Sequence, residues 1–179
     1  MRIMLSDFFY LISELKKIPR KGWKEKVGIQ HPESVADHSY GTAVMAMIFS
    51  DSDRMDTEKI MKMALLHDLA ESVIGDFMPG EISKETKRLV EDQAMEEILA
   101  KLPIDLANRY HSLWKEYVTA TSPESVLLHE IDKLEMAIQA AKYLGEGFSK
   151  EKLQEFIEGA RKEIRSKELL AILDTISHK

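Results

Sequence analysis

The chain has 179 residues, 44% hydrophobic and 31% charged, with a net charge of −6 and no cysteine. That balance suits one globular domain spanning residues 1–179, long enough to bury a substantial core. It excludes disulfides and thiolate metal sites, any membrane span (no apolar run approaches about 18 residues) and a protein that wraps nucleic acid, which needs clustered Lys and Arg. The N-terminus reaches Asp7 too soon for a signal peptide, so a cytoplasmic protein that engages neither membrane nor nucleic acid is expected.

Only five prolines and eight glycines punctuate the chain. No stretch alternates with period two, so an all-α fold, a compact helical bundle, is expected. Ser6 can cap a first helix to about Lys17, with Phe8, Phe9, Leu11, Ile12 and Leu15 on its buried side. Pro19 and Gly22 end it. The connection from Ile18 to Pro32 is long for a loop and basic, carrying Arg20, Lys21, Lys24 and Lys26 beside Trp23. Long irregular segments in compact domains are often functional. A second helix is expected from about Glu33 to Ser50. Thr57 opens a third, which continues through Ala64–Ile74 as one amphipathic helix and stops at Gly75. Ser83 caps a fourth, to about Lys101, and Pro103 begins a fifth, to about Val118. Ser122-Pro123-Glu124 supplies a cap, a proline at the first position and an acid in the first turn of a sixth helix, to about Leu144. Its apolar stripe includes Val126, Ile131, Leu134 and Ala137. One or two terminal helices rich in Glu, Lys and Arg (149–178) are expected to pack on the outside.

Four polar side chains intrude on core-like helix faces: His38 on the second helix, His67 and Asp68 on the third, Asp132 on the sixth. Imidazoles and carboxylates bordered by leucine are expensive to desolvate unless something cationic compensates them. A divalent metal is the simplest compensation. Two imidazoles and two carboxylates suit a borderline transition ion such as Mn, Fe, Co, Ni or Zn, with Mg the poorer match. Glu71 shares the face of His67 and Asp68, three to four residues on. Gly75 permits a turn that swings Asp76 back toward the site. Glu71 and Asp76 can therefore bind a second ion or move protons. His31, His111, His129 and His178 read as non-ligands, although His129 lies one turn before Asp132 and can support it.

The order of these residues resembles that of the HD-domain metal-dependent phosphohydrolases: a His, then His-Asp about thirty residues on, then Asp about sixty-five further. Four stretches narrow the resemblance: Pro19–Trp23 (PRKGW), Pro32–Ser39 (PESVADHS), His67–Asp76 (HDLAESVIGD) and Ile131–Met136 (IDKLEM). Together they resemble the 5′-deoxynucleotidase group, the YfbR-like HD proteins and their eukaryotic relatives, over about residues 8–143. The resemblance implies hydrolysis of deoxyribonucleoside 5′-monophosphates to deoxynucleoside and phosphate by a homodimer using a divalent metal, often Co or Mn. It makes His38, His67, Asp68 and Asp132 the ligands. Glu71 and Asp76 become the acid–base pair, with Asp76 favoured as acid and Glu71 positioning water, or ligands of a second ion. Bacterial members carry an adjacent Arg-Trp pair before the first histidine, contacting phosphate and sugar. Here Trp23 follows Gly22, so Trp23 is available to the sugar, and Arg20, Lys21 or Lys24 to the phosphate.

Rival readings within the HD group fit less well. Guanosine-tetraphosphate hydrolases follow His-Asp with Glu-Asp, where this chain has Glu71-Ser72. Cyclic-nucleotide phosphodiesterases carry additional histidines, and none follows His67 in the third helix. A different class is a metal-bearing helical module that binds nucleotide without turnover.

Overall fold

A computed structural model of the chain describes residues 2–177, which form nine α-helices and no β-strand. They are α1 (Arg2–Glu14), α2 (Val35–Ser52), α3 (Thr57–Leu66), α4 (Glu71–Ile74), α5 (Lys84–Leu99), α6 (Ile104–Thr119), α7 (Pro123–Gly145), α8 (Lys150–Glu163) and α9 (Lys167–Ser177). Among the described residues no helix is long and apolar enough to cross a membrane. Ser83 and Ser122 start helices as the sequence predicts, and Ser34 caps the helix expected from about Glu33. Ser34, Ser83 and Ser122 each accept a hydrogen bond from the N–H three residues on, satisfying a donor that a helix start leaves orphaned.

α7 is the axis of the molecule and packs against α2, α3, α6, α8 and α9. Its Leu128, Ile131, Leu134, Ala137 and Ala140 are wholly buried. Small residues on α2, Ala43 and Ala46, let that helix approach closely, and Ile60 and Met63 of α3 fill the adjoining layer. A second cluster gathers Phe8, Leu15, Val35, Leu66, Met95 and Trp114 from α1, α2, α3, α5 and α6 and the turn after α1. Leu113 and Tyr117 of α6 pack against both clusters.

The long basic loop is tied at its base. Val35 N–H bonds the Ile18 carbonyl at 2.9 Å and Arg20 N–H bonds the Glu33 carbonyl at 3.0 Å. Within it Trp23–Val27 winds as one π-helical turn, closed by Gly28 at φ 92. Only glycine takes up that left-handed backbone at no steric cost.

Several expectations need correction. Ser6 lies inside α1, which begins at Arg2. Phe9 and Ile12 are exposed, at 61% and 40%; α1 rests on α4 and α5 along one narrow side that Phe8, Leu11 and Leu15 already fill. Val126 is likewise largely exposed, on the outer face of α7. The third helix ends at Leu66, and the chain turns through His67–Ala70 before the short α4 begins. The terminal helices complete the core, since Leu153, Ile157, Ile164, Leu169 and Leu173 are all buried in the α7 cluster. His178 lies outside the described residues.

Candidate metal centre

His38 enters from the first turn of α2, behind the reciprocal Ser34–Asp37 cap. His67 follows directly on α3. Neighbours on an α-helix point about 100° apart. Ending α3 at Leu66 releases Asp68 from that divergence, and its Oδ2 comes within 3.3 Å of His67 Nε2. The N–H groups of Leu69, Glu71, Ser72 and Val73 bond carbonyls three residues back, so the break leaves the backbone satisfied. Asp132 comes from the middle of α7, with Oδ1 3.0 Å from His38 Nε2.

Four donor atoms from three segments thus converge. His38 Nε2 and His67 Nε2 are 3.4 Å apart, and Asp68 Oδ2 lies 3.7 Å from His38 Nε2. Donor atoms of His38, His67 and Asp132 all fall within 4.8 Å of one another. The other nitrogen of each ring settles which carries hydrogen. His67 Nδ1 faces the Ala64 carbonyl at 2.7 Å and His38 Nδ1 faces Glu135 Oε2 at 2.5 Å. Both partners only accept, so each Nδ1 donates, and each neutral ring turns the lone pair of Nε2 toward the other and toward two carboxylates. Such a set repels itself unless a cation sits among it. The donor chemistry fits a divalent metal.

Charge effects point the same way. Burial would raise the Asp68 carboxyl, but His67, Arg20 and His38 reverse this and hold it below the usual range. Burial likewise opposes ionisation of Asp132, and Lys133, His38 and His67 overcome it. Without an ion, a proton takes the cation's place. Burial and Arg20 depress His38, yet its bonds to Asp132 and Glu135 lift it to about 10.

Glu71 is 3% exposed, and its buried Oε2 has no hydrogen-bond partner. Burial, then Asp68 and Asp76, push its carboxyl well above the usual range. Asp76 is held as an acceptor: its Oδ2 takes the Lys21 N–H at 2.5 Å and its Oδ1 stands 4.0 Å from Arg20 Nη1. Gly75, at φ 77 and ψ 170, makes that reversal.

His67, Asp68, Glu71, Asp76 and Asp132 line a cavity of about 600 Å³, the size of a small-molecule site. Of the four expected substrate contacts, Arg20 and Trp23 line it and Lys21 and Lys24 do not. Arg20 Nη1 approaches Asp68 Oδ2 at 3.4 Å. Trp23 is 2% exposed, stacks on Phe156 of α8 at 4.3 Å and donates from Nε1 to Glu33 at 2.8 Å. The Lys21 ammonium is committed to Glu81 at 2.5 Å, which leaves only its backbone N–H for the site. Lys24 is exposed on the outer side of the π turn. Cations that sequence reasoning passed over line the cavity instead: Lys84, Lys87 and Arg88 on one face of α5, and Lys133 beside Asp132 at 2.9 Å. Their i, i+3, i+4 spacing at the start of a helix that faces the site was the available signal. His129 is no member of the donor cluster; it stacks on Tyr117 at 4.3 Å and its Nε2 donates to the Tyr117 carbonyl.

Comparison with known proteins agrees with this geometry. The HD domain family model matches residues 12–172. The human 5′-deoxynucleotidase HDDC2 is 36% identical over 173 residues, 96% of this chain and 84% of its own length. The Dictyostelium discoideum protein of the same name is 39% identical over 166 residues, 87% of each chain. A crystal structure of a Pyrococcus horikoshii OT3 protein superposes with a TM-score of 0.80 at 34% identity, covering 96% of this chain and 98% of that one.

Proposed function

Because this chain belongs to the HD-domain family and to the group of its 5′-deoxynucleotidase relatives, we propose that it hydrolyses deoxyribonucleoside 5′-monophosphates to deoxynucleoside and inorganic phosphate. The observation that carries this reading is the meeting of His38, His67 and Asp132 donor atoms within 4.8 Å of one another, with Asp68 Oδ2 3.3 Å from His67 Nε2, beside a cavity of about 600 Å³. Those four residues would hold the ion, with Mn or Co the expected choice and Zn, Ni or Fe compatible with the same donors. A divalent ion there supplies Lewis acidity, lowering the pKa of water from about 15.7 toward 7 and drawing charge from phosphoryl oxygens.

The protein's own groups do the rest. Arg20, Lys87 and Lys133 neutralise the non-bridging oxygens, where electrostatic stabilisation of the transition state has most effect. Trp23 and Phe156 offer an apolar wall to the sugar. The electrostatics favour the reverse of the expected division of labour. Glu71, buried beside two carboxylates, is the group that keeps a proton and can give it to the departing 5′ oxygen as the P–O bond breaks. Asp76, fixed by the Lys21 N–H and Arg20, is the acceptor for the proton that the attacking water sheds, which then restores Glu71. The atoms balance: one water becomes the phosphate hydroxyl and the alcohol proton.

The resemblance further supports a homodimer, which light scattering tests. Phosphate release from dAMP, dGMP, dCMP, dTMP and dUMP with Mn²⁺ or Co²⁺, and with EDTA, tests the reaction. Turnover with metal and none with EDTA is expected. Stoichiometric metal without release from any of the five would leave a binding module instead.

A further inference from the structure

Glu135 lies on α7 one turn beyond Asp132 and is 8% exposed. Its Oε2 accepts the His38 Nδ1 hydrogen at 2.5 Å. The other oxygen occupies a notch in α2. A methyl group at position 41 would stand 2.8 Å from Glu135 Oε1, closer than packed atoms allow, and a tight 3.2 Å from its Cγ. Gly41 has an ordinary helical backbone, so conformation does not demand glycine there. Glycine inside a helix is destabilising relative to alanine. The space it leaves is filled by the Glu135 carboxyl. Glu33, the other carboxylate on this side of His38, is engaged by Trp23 Nε1 at 2.8 Å, which leaves Glu135 as the partner of Nδ1.

We propose that Glu135, seated in the notch that Gly41 leaves in α2, is a positioning residue that holds the His38 ring with Nε2 free for the metal ion. The inference rests on the metal-centre reading above. A carboxylate behind a ligating imidazole fixes its tautomer and orientation and strengthens it as a donor. Glu135 touches neither substrate nor ion; it acts through His38.

Titration with Co²⁺ alone, by calorimetry and visible absorption, tests this on the parent, E135A, E135Q, G41A and the double variant G41A/E135A. E135A should bind Co²⁺ about 10- to 100-fold more weakly. E135Q, whose amide oxygen still accepts from Nδ1, should recover most of that loss. G41A should weaken binding in the parent yet add nothing in the E135A background, where the collision is gone. Melting in chelator shows whether each variant is folded. Parental Co²⁺ affinity in folded E135A, or a G41A penalty undiminished beside E135A, overturns the proposal. A parent that takes up no Co²⁺ would instead bring down the metal-centre reading, and this inference with it.

Discussion

Each of the four donor residues has a second contact that prepares it, and single substitutions should separate their roles. Asp68→Asn should abolish metal uptake and phosphate release together. Glu71→Gln should retain the ion and lose about 10²- to 10⁴-fold in kcat, the range for removal of a general acid; metal analysis beside kinetics checks both. Lys87→Ala should raise KM about tenfold with less effect on kcat, as loss of one charge-assisted contact would. His38 gives a pH signature. Its folded value of about 10 without metal exceeds the 6.5 of an ordinary histidine. The folded state therefore holds an extra proton between those values. The resulting stability is complete below about pH 6.5 and is lost as pH climbs through about 10. Protein in EDTA should fall in melting temperature across pH 7 to 10, and metal uptake at pH 8 should release a proton into a weak buffer.

Among the helices, strongly signalled starts coincide with the structure and packing-dependent features do not. Ser83 and Ser122 cap where their side chains say they will, because capping is local chemistry. The donor residues were legible for a related reason: His38, His67 and Asp132 break apolar stripes, and an unexplained polar group in a core position demands a partner. The break after Leu66 left no trace, since Leu69, Ala70 and Ile74 keep helical spacing through a turn wound by three-residue bonds. Glu135 was equally silent, and Lys87 signalled only through its spacing with Lys84 and Arg88. A Glu or Lys on an amphipathic helix reads as solvated until the neighbouring helix is in place. Gly75 can be tested at this scale. At φ 77 and ψ 170 it occupies backbone territory essentially closed to other residues. Gly75→Ala should cost about 1–3 kcal/mol and free Asp76 from the Lys21 N–H, lowering both the melting temperature and kcat.

The molecule as a whole closes around α7, and its C-terminal pair reaches the chemistry through Phe156. Charge-rich sequence disguised this, because α8 and α9 bury one apolar ridge each and leave the remainder in water. Leu169, wholly buried, anchors α9 on that core. Leu169→Ala should cost about 2–5 kcal/mol, read as a shift of the urea midpoint, while KM for the nucleotide stays near parental. The basic loop joins this packing, since its Trp23, Val27 and Ile29 are buried in the same cluster. Two main-chain bonds at its stem pin Ile18 to Val35 and Arg20 to Glu33, and Gln30 and His31 are exposed just before Glu33. A segment pinned at its stem and rooted by three side chains is part of the frame: residues added at the exposed Gln30–His31 should pass unnoticed by the pocket, whereas exchanging the whole loop should unseat Trp23 and lower the melting temperature together with the activity.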